Sequence, residues 1–530
     1  MSKLLLPLLA VVALAACRKD LVCPQGETDC GGKCVSLQTD AANCGACAHA
    51  CGSLEACSGG ACGCAADVAS CGGACTDLAR DAANCGACGA ACAAAQYCTT
   101  AGGSTSCTAS CPTGFTACGR ACVDVTSDSR SCGACGHVCT RGESCVNGAC
   151  GADIQVACFS TSDVRPVTAD LTAAGDPRLA YGNPTVLALA NGVVFAASGY
   201  PATVAAIPLD GRATTHVVLT GNDLEGILAY GGAVLISNAD AGTLVVLDAA
   251  SGAVRDELVL PGDAPNPHDI AVVGSTAYVA LTGYGPGGVK ATLSGQAIAK
   301  IDLSPLAACL ADAAPPSCAS GEPCPAGRSC RGGECRLPCG VVSGAIDLMQ
   351  VPGTADGGAG GYPFPGQLAV RDSKIYAPLA NLKLADCGGG YMEYCEPAGH
   401  GKLAIIDAAA GDATSAIDLG ADCRNPGDVD VYGSTLWVSC GSFLYPAEAP
   451  GRVVALDVSG APTLAGAAVD VSKIVPWSLA FCGGVGYVTD SASGAIVRFD
   501  PLSRAADAPV TVCPILPPSK FTFASDIVCR

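Results

Sequence analysis

Residues 237–272 read SNADAGTLVVLDAASGAVRDELVLPGDAPNPHDIAV, and this stretch decides the fold of the larger part of the chain. A strand starts after Gly242 and ends at Asp248, a turn follows up to Gly252, and a second short strand leads to an apolar hairpin at Asp269. Gly, Ser and Asp are typical of tight turns, and uninterrupted aliphatic runs are typical of strands that are covered on both faces. The stretch therefore predicts consecutive short strands joined by turns.

The same two units recur through the second half of the chain. The apolar hairpin occurs at 186–198, 226–238, 269–281, 367–379, 428–440 and 478–490, and the strand from Gly to Asp occurs at 242–248, 295–302, 401–407, 451–457 and 494–500. The hairpin turns are Asn191-Gly192, Gly231-Gly232, Gly274-Ser275, Asp372-Ser373, Gly433-Ser434 and Gly483-Gly484. One large residue takes the same hairpin position each time: Phe195, Leu235, Tyr278, Tyr376, Trp437 and Tyr487. Four strands repeated every ~40–50 residues are typical of β-propeller blades.

The stretch 237–272 resembles the repeat of the YVTN-type β-propeller family, although Ser237-Asn238 matches only part of its namesake motif. The resemblance covers roughly 152–530, in which we count six full blades. The C-terminal ASDIVCR (524–530) looks like an innermost strand, and 154–170 could supply the outer strands of a seventh blade. Such closure leaves no free sheet edge around the ring. A disulfide could lock it as Cys158–Cys529, Cys482–Cys529 or Cys158–Cys513.

The N-terminal part contains three copies of one cysteine pattern. The spacing C-x3-C-x9-C-x2-C-x3-C-x5-C-x4-C repeats with only one lengthened gap, and each copy has a further cysteine seven positions ahead. Segments this small bury too little apolar surface to fold without covalent cross-links. The three modules contain Cys23, Cys30, Cys34, Cys44, Cys47, Cys51, Cys57, Cys62; Cys64, Cys71, Cys75, Cys85, Cys88, Cys92, Cys98, Cys107; and Cys111, Cys118, Cys122, Cys132, Cys135, Cys139, Cys145, Cys150.

Disulfides explain these cysteines better than metal or haem. Zinc sites use four ligands and commonly include His, whereas each module has eight cysteines and no repeated His. His49 and His137 miss the C-x-x-C-H haem position by one residue. Spacing alone leaves the pairing open. The body of each module, such as CGRACVDVTSDSRSCGACGHVCTRGESCVNGAC (118–150), resembles the stigma-specific protein family over about 23–150, which implies extracellular modules without a catalytic centre.

Fourteen cysteines remain in the second half: Cys158, Cys309, Cys318, Cys324, Cys330, Cys335, Cys339, Cys387, Cys395, Cys423, Cys440, Cys482, Cys513 and Cys529. Cys324, Cys330 and Cys335 repeat the spacing of the last three module cysteines. We therefore expect a degenerate fourth fragment in an insertion at about 304–341, between blades three and four. Cys387–Cys395 is the simplest local pair.

The first residues indicate export. Met1 to Ala16 form a short apolar run behind Lys3, too short to span a membrane and typical of a secretory signal. Leu14-Ala15-Ala16-Cys17 resembles the bacterial lipobox, which implies cleavage before Cys17 and its lipidation; an ordinary signal is the alternative. Thirty-nine cysteines less Cys17 leave an even thirty-eight, typical of an oxidising compartment. We expect an outer-membrane lipoprotein of the bacterial envelope, with Arg18 favouring outer-membrane sorting, exposed at the surface and anchored through its acyl chains.

A catalytic centre is hard to find. G-x-S-x-G, H-E-x-x-H and phosphate-binding glycine loops are absent. The best candidates lie just before innermost strands, near the central channel, where propeller lactonases hold a divalent cation: Glu225, Asn266, His268, Asp269, Asn425, Asp428 and Asp526. Oxygen ligands suit Ca²⁺, but aspartates at equivalent positions of several blades are also typical of structural turns. We expect no resident cofactor, with Ca²⁺ as the one alternative.

The sequence predicts an all-β protein, a roughly seven-bladed propeller behind three disulfide-rich modules. A net charge of −19 argues against nucleic acid as a partner. The function that fits best is non-catalytic binding of a protein or glycan. A cation-dependent, lactonase-like hydrolase and a purely structural envelope protein are the alternatives. The expected order is signal peptide 1–16, lipidated tether 17–22, modules 23–62, 64–107 and 111–150, and propeller 151–530.

Overall fold

A computed structural model gives the fold. It describes residues 28–30, 34–35, 37–38, 43–52, 54–64, 68–101, 104–126, 128, 130–139, 143–146, 148–152, 154–263, 265–283, 296–312, 315–318, 323–331, 333–351, 361–386, 392–441, 450–515 and 523–529. The chain divides into two compact units, 1–138 and 139–530. The predicted signal peptide and Cys17 lie outside the described residues. None of the helices in the described residues has the length and hydrophobicity needed to cross a bilayer.

The first unit consists of short β-hairpins held by disulfides. Cys44, Cys98 and Cys132 are almost fully buried, so cystines supply much of its interior. The strands are Thr28–Asp29, Cys34–Val35, Glu55–Ser58, Ala61–Cys64, Ala69–Cys71, Ala74–Thr76, Tyr97–Ala101, Ser104–Thr108, Thr116–Cys118 and Ala121–Val123. A further hairpin, Glu143–Val146 with Ala149–Ala152, falls in the second unit.

One disulfide pattern runs through the modules, which the spacing alone left open. In the second module the first cysteine pairs with the third, the second with the fifth, the fourth with the seventh and the sixth with the eighth. These pairs are Cys64–Cys75, Cys71–Cys88, Cys85–Cys98 and Cys92–Cys107. The other modules repeat it wherever the structure describes them, in Cys30–Cys47, Cys44–Cys57, Cys51–Cys62, Cys111–Cys122 and Cys118–Cys135.

The second and third modules share one sheet. The hairpins 97–108 and 116–123 join because Ala121 and Cys122 lie opposite Cys98 and Thr99 in a parallel pairing. Arg120 donates from Nη2 to the carbonyls of Cys92 at 3.0 Å and Ala93 at 2.7 Å in the preceding module. Two ion pairs, Arg80–Asp128 and Arg130–Asp77, cross the same junction. These contacts fix the two modules to one another.

The second unit is a β-propeller built from four-stranded antiparallel blades, with one extra short strand in blade 5. Blade 1 contains Pro184–Ala190, Val193–Ser198, Thr203–Pro208 and Thr215–Val218; blade 2 Leu224–Tyr230, Ala233–Asn238, Thr243–Asp248 and Val254–Val259; blade 3 Pro267–Val273, Thr276–Leu281, Ala297–Asp302 and Val341–Asp347. Blade 4 contains Ala369–Arg371, Lys374–Leu379, Lys402–Asp407 and Ala413–Asp418; blade 5 Pro426–Tyr432, Thr435–Cys440, Arg452–Asp457, Thr463–Leu464 and Val469–Asp470; blade 6 Pro476–Cys482, Val485–Asp490, Ala495–Phe499 and Val510–Thr511.

Blade 7 closes the ring from both ends of the unit, as predicted. Its innermost strand Ala524–Cys529 pairs antiparallel with Ile154–Cys158, which is followed outward by Asp163–Val167 and Arg178–Leu179. The innermost strand of blade 7 also packs against those of blades 1 and 6. The disulfides are Cys158–Cys513 and Cys482–Cys529, so the alternative pairing Cys158–Cys529 is wrong. Cys158 and Cys529 lie at opposite ends of the two paired strands, because Cys158 is opposite Ala524 and Cys529 is opposite Ile154.

The predicted hairpins and their packing are present. Each of the six two-residue turns joins two observed strands, and Asn191 and Gly192 have the positive φ values (51° and 73°) that such turns require. The large residue in each second strand is buried between neighbouring blades, since Phe195, Leu235, Tyr278, Tyr376, Trp437 and Tyr487 are all at most 4% exposed. Burial of this repeated position in blades 1 to 6 accounts for the aromatic or aliphatic residue there.

The two faces of the ring differ. We define the upper face as the one at which the innermost strand of each blade begins, and the opposite face as the lower face. The six two-residue turns all lie on the lower face. Five connections longer than ten residues, 282–296, 348–368, 380–401, 441–451 and 512–523, leave and rejoin the blades at the upper face. The connection 380–401 includes an extra hairpin, Leu382–Asp386 with Met392–Pro397, and 348–368 starts with the 3-10 turn Leu348–Gln350.

The cysteine-rich insertion lies within blade 3, not between blades three and four as the sequence suggested. It joins the third strand of that blade to its outermost strand Val341–Asp347, because that last strand completes the sheet only after the insertion. It contains the helix Leu306–Ala311 and the hairpin Ser329–Arg331 with Glu334–Arg336. Cys318–Cys330 and Cys324–Cys335 repeat the last two pairs of a module, and Cys309–Cys339 closes the base.

The insertion is firmly attached to the propeller. Arg336 donates to the carbonyl of Val254 at 2.5 Å, and the amide of Cys339 donates to the buried carboxylate of Asp256 at 2.8 Å. Leu306, only 3% exposed, packs in the core of blades 2 and 3. The half-module is therefore a rigid part of the lower face.

Candidate functional site

The seven predicted channel residues lie on the upper part of the inner ring, but in separate blades. Glu225 is in blade 2, His268 and Asp269 are in blade 3, Asp428 is in blade 5 and Asp526 is in blade 7. Asn266 and Asn425 immediately precede the innermost strands of blades 3 and 5. No three of the His, Asp and Glu side chains among them bring ligand atoms within 4.8 Å of one another in the described residues. A single Ca²⁺ shared among them remains a prediction without a preformed cage.

The three aspartates join neighbouring blades. Asp269 accepts a hydrogen bond from the amide of Leu368 in blade 4 at 2.6 Å, and Asp428 accepts from the amide of Leu479 in blade 6 at 2.5 Å. Asp526 accepts from the amide of Leu187 in blade 1 at 2.7 Å, so it also connects the end of the propeller to its first blade. Each carboxylate thus satisfies a backbone donor in, or immediately before, the innermost strand of the next blade.

The remaining junctions are bridged in other ways. Thr185 donates to the carbonyl of Leu224 between blades 1 and 2, and Ser237 to the carbonyl of His268 between blades 2 and 3. Ser478 donates to Asp526 at 2.6 Å between blades 6 and 7. The Gln367 amide, with its nitrogen facing blade 5, donates to Asp428 at 2.9 Å. In the described residues, every blade junction therefore has a polar bridge at the inner ring, which we call the axial latch.

Burial controls the ionisation of the latch aspartates. It raises the pKa of Asp269 and of Asp526 to about 6, although backbone hydrogen bonds oppose the rise. It raises the pKa of Asp428 well above its usual value, with further repulsion from Asp526 and Asp269. The charges of these carboxyls repel one another across the ring, and part of Asp269 and of Asp526 is neutral near pH 6.

A second group of titratable side chains lies at the upper face between blades 1, 2 and 3. Glu225 Oε2 approaches His268 Nε2 to 3.6 Å, and Glu225 is hydrogen-bonded to Asp223. Burial, followed by repulsion from Glu225, raises the pKa of Asp223 to about 7. Burial lowers the pKa of His268, so its ring is neutral at pH 7. Nδ1 of His268 is buried without a partner among the described residues.

Asp223 was missed by the sequence reasoning. It occupies the position that Asn266 and Asn425 hold one residue ahead of their innermost strands, and all three have positive φ, between 40° and 66°. Alignment of the blades on this position would have found it. The two asparagines serve the turn itself: Asn266, for example, accepts a hydrogen bond from Thr282 at 2.9 Å.

The cysteine side chains offer no metal centre where they are described. The sulfurs of Cys44, Cys51 and Cys62 approach one another closely, as do two similar groups, but the cysteines in all three groups are disulfide-bonded. His49 and His137 donate from Nδ1 to the carbonyls of Cys44 and Cys132 at 2.6 Å, and so brace the module loops. Cys423–Cys440 staples blade 5, while the expected Cys387–Cys395 pair lies outside the described residues.

Comparison with known proteins gives one family match within the cysteine-rich part of the chain. Residues 99–153 match the Stigma-specific STIG1-like protein family, which covers the last hairpin of the second module and the third module. No curated protein matches the sequence.

Among solved structures, similar folds are found in the β-propeller domain of Cps50 (Swd1) from Myceliophteria thermophila (11% identity, 62% of this chain and 86% of that chain, TM-score 0.41) and in virginiamycin B lyase from Staphylococcus aureus (12%, 62% and 84%, 0.39). A protein of unknown function from Desulfotomaculum acetoxidans is similar over 68% of this chain and 95% of its own, at 11% identity and a TM-score of 0.42. Similarity at this level indicates nothing about activity.

Proposed function

We propose that this chain is a lipid-anchored protein of the bacterial cell envelope whose propeller binds a protein or glycan partner without catalysing a reaction. The observation that carries the proposal is the axial latch. The strongest candidates for channel chemistry are Asp269, Asp428 and Asp526. Each of them accepts a hydrogen bond from a backbone amide of the next blade. Carboxylates used in this way hold a rigid ring together, and a rigid ring is a scaffold for recognition.

The difference between the two faces of the propeller suggests which face binds the partner. On the lower face the strands are joined by two-residue turns, by connections of up to ten residues and by the fixed half-module, whereas five longer connections start and end on the upper face. Long connections on a rigid scaffold are the usual location of binding residues. We therefore place the partner on the upper face.

Anchoring can be tested separately from binding. The dense disulfides support export to an oxidising compartment, and Cys17 is the proposed attachment point. Replacing Cys17 with Ser should release the protein from the membrane fraction of the native host, since the acyl chains would be missing. Continued membrane association of C17S would contradict lipid anchoring.

Binding is tested with the full chain carrying C17S as bait in envelope extract of the native host. The matched control is the same protein reduced and alkylated, because loss of the disulfides removes the fold and keeps the composition. A saturable partner retained only by the oxidised protein would support the proposal. The absence of any such partner would contradict it and favour a structural or catalytic role.

A lactonase-like hydrolase is the second candidate. The neutral His268 ring beside Glu225 and Asp223, whose pKa lies near 7, could supply a general base and acid at the upper face. A screen of lactones with and without Ca²⁺ or Mg²⁺ tests this candidate. Turnover that is lost in H268A would favour it over binding alone.

A further inference from the structure

A cavity of about 260 Å³ lies at the outer rim of the propeller, between blades 5 and 6. Its walls come from the outer edge of blade 5, and from the third strand of blade 6 with the segment that leads to its outermost strand. The outer edge of blade 5 is interrupted, since Thr463–Leu464 and Val469–Asp470 pair separately with the third strand. Each of the other blades has a single outermost strand in the described residues. The cavity, which we call the rim cavity, thus lies beside the irregular edge of the ring.

The size and the apolar walls of the rim cavity suit a small organic molecule. The apolar residues in the lining are Val471, Val497, Ala506 and Pro509. Pockets for organic ligands typically combine such walls with a few placed polar groups, and their volumes run from roughly 300 to 1,000 Å³. The rim cavity is slightly smaller than that range, and Lys473 in its lining is exposed, so it opens to solvent. A molecule of the size of a single sugar or a short acid fits it best.

The two carboxylates in the lining already have arginine partners. Asp470 forms an ion pair with Arg452 at 2.7 Å, and Asp507 forms one with Arg498 at 2.6 Å. Asp470 also accepts a hydrogen bond from the amide of Ser472 at 2.9 Å. The negative charges of the cavity are therefore matched by these two arginines and do not serve the other cations of the lining.

Those other cations are Lys473 and Arg504, and neither forms an ion pair within the part of the chain that the structure describes. Lysines elsewhere on the propeller do, since Lys300, Lys374 and Lys383 each pair with a carboxylate. The chain has 47 acidic and only 28 basic residues, so carboxylates are the more abundant partners. Two cations without a carboxylate in one cavity therefore point to an anion from outside the chain.

The guanidinium of Arg504 is held in place before any ligand arrives. It lies over the ring of Trp437, 5.3 Å from the ring centre, and its Nη1 donates to the carbonyl of Ala467. Trp437 is only 2% exposed, so the ring is a rigid support. A guanidinium has five N–H donors, and the Ala467 carbonyl is the one hydrogen-bond acceptor that Arg504 contacts among the described residues. Its other donors are available to a planar, two-oxygen anion.

We propose that the rim cavity binds a small organic acid through its carboxylate. Arg504 contacts the two carboxylate oxygens, Lys473 adds positive charge at the opening, and the apolar walls contact the body of the ligand. A single carboxylate fits better than a doubly charged phosphate, because Asp470 and Asp507 lie close by and repel the second charge. None of the lining residues belongs to the five long upper-face connections. The site is therefore a second binding activity, and it does not depend on the proposed function.

The test titrates the full chain carrying C17S at low salt with methyl β-D-glucuronide and with butanoate, followed by ligand-observed NMR. The uncharged counterparts, methyl β-D-glucoside and butanamide, are titrated in parallel. We expect saturable binding of at least one acid and no binding of its uncharged counterpart. Tighter binding of the glucuronide would assign the site to acidic sugars, and tighter binding of butanoate would assign it to free aliphatic acids; either result supports the proposal.

Two variants locate the binding. Lys473→Gln removes an exposed side chain that has no ion pair, so it should weaken binding about fivefold and leave the melting temperature unchanged. Arg504→Lys keeps the charge and loses the planar fork, so it should weaken binding at least tenfold. Because Arg504 also contacts Trp437, the melting temperature of R504K is measured too, and K473Q decides the outcome if R504K melts lower than the parent.

The matched control is Arg424→Gln, which removes another exposed cation that forms no ion pair in the described residues, at the upper face before blade 5. It should leave affinity within twofold. Equal weakening by K473Q and R424Q would mean that overall charge alone attracts the acids, and would overturn the proposal. Failure of both acids to bind would do the same, as would affinity that neither K473Q nor R504K changes. Inorganic sulfate that binds as tightly as the acids would show an adventitious anion site only, and would also overturn it.

Discussion

Asp526 is the residue of the axial latch that joins the end of the propeller to its first blade. Its carboxylate accepts from the amide of Leu187, the hydroxyl of Ser478 and the amide of Ile527, and so connects blades 6, 7 and 1. We expect Asp526→Ala to lower the free energy of unfolding of the propeller by about 3 kcal/mol, because buried donors lose a partner. Chemical denaturation measures this. Asp422→Ala, at an exposed upper-face position, should change it by less than ~0.5 kcal/mol; equal effects would contradict the latch.

The latch also predicts how stability depends on pH. The pKa values of Asp269 and Asp526 are about 6 in the folded protein, against 3.8 for the free side chain. Between these values the folded state binds more protons than the unfolded state, so these groups stabilise the fold at low pH and that stabilisation is lost as pH rises through about 6. The melting temperature should be higher at pH 5 than at pH 7.5.

Asp526→Asn is the matched variant for that measurement, since it keeps the shape and removes the titration. It should reduce the difference between pH 5 and pH 7.5. Turn aspartates such as Asp248 have a lowered pKa, because Arg255 and the amides of the turn donate hydrogen bonds to the carboxylate. Their contribution to stability is present above about pH 4 and is lost only as the pH falls further, so it does not affect a comparison of pH 5 with pH 7.5. A melting temperature that rises from pH 5 to pH 7.5 would rule out the latch carboxyls as the dominant titrating groups.

Among the elements, the joint between the second and third modules is the clearest surprise. The junction between the first and second modules differs in two respects. Gly73 of the second module stands at the position that Arg120 has in the third. The closing hairpin of the first module, Glu55–Cys64, is also shorter than that of the second, Tyr97–Thr108. The pairing with the third module involves Cys98 and Thr99, at the base of this hairpin, and not its lengthened tip.

Arg120 is the residue to test at that joint. Replacing Arg120 with Ala removes its hydrogen bonds to the carbonyls of Cys92, Ala93 and Gln96, which should loosen the shared sheet without breaking any disulfide. Hydrogen exchange of the amides in 97–101 and 121–123 should then accelerate at least tenfold. Arg212→Ala, on an exposed propeller turn, is the control and should leave those amides unchanged. Unchanged exchange in R120A would show that the strand pairing alone holds the modules.

The sequence was sufficient for elements whose signal is local. The hairpin turns at Asn191-Gly192 and Gly483-Gly484 and the strand Gly401–Asp407 follow from turn chemistry and aliphatic runs that are visible in a few residues. The position of the insertion was not predictable in the same way, because Val341–Asp347 reads as an exposed, glycine-containing segment and becomes a strand only by pairing with Ala297–Asp302. Likewise, the candidate aspartates are visible in sequence, whereas their use as bridges depends on neighbouring blades that only the fold brings together.

At the scale of the whole molecule, one closure controls the stability of the propeller. The ring is completed by a strand from the C-terminus and three from the beginning of the unit, so each end of 154–529 depends on the other. Cys158–Cys513 bridges 355 positions of sequence, and Cys482–Cys529 ties the last strand to blade 6. Because a covalent link between distant residues removes much of the conformational freedom of the unfolded chain, the first of these contributes roughly 6 kcal/mol by loop entropy.

Two variants separate the strand from the disulfides. Deleting residues 524–530 removes the innermost strand of blade 7 together with Asp526 and Cys529, and it should abolish cooperative unfolding of the propeller because Ile154–Cys158 is left with an unpaired edge inside the ring. The paired substitution C158S/C513S keeps every strand and should instead lower the melting temperature by several degrees with cooperativity retained. Calorimetry of the full chain distinguishes these outcomes. If the truncated protein melts like the parent, the ring does not depend on end-to-end strand pairing. If C158S/C513S lowers the melting temperature more than the truncation does, the disulfide Cys158–Cys513 and not the strand keeps the ring closed.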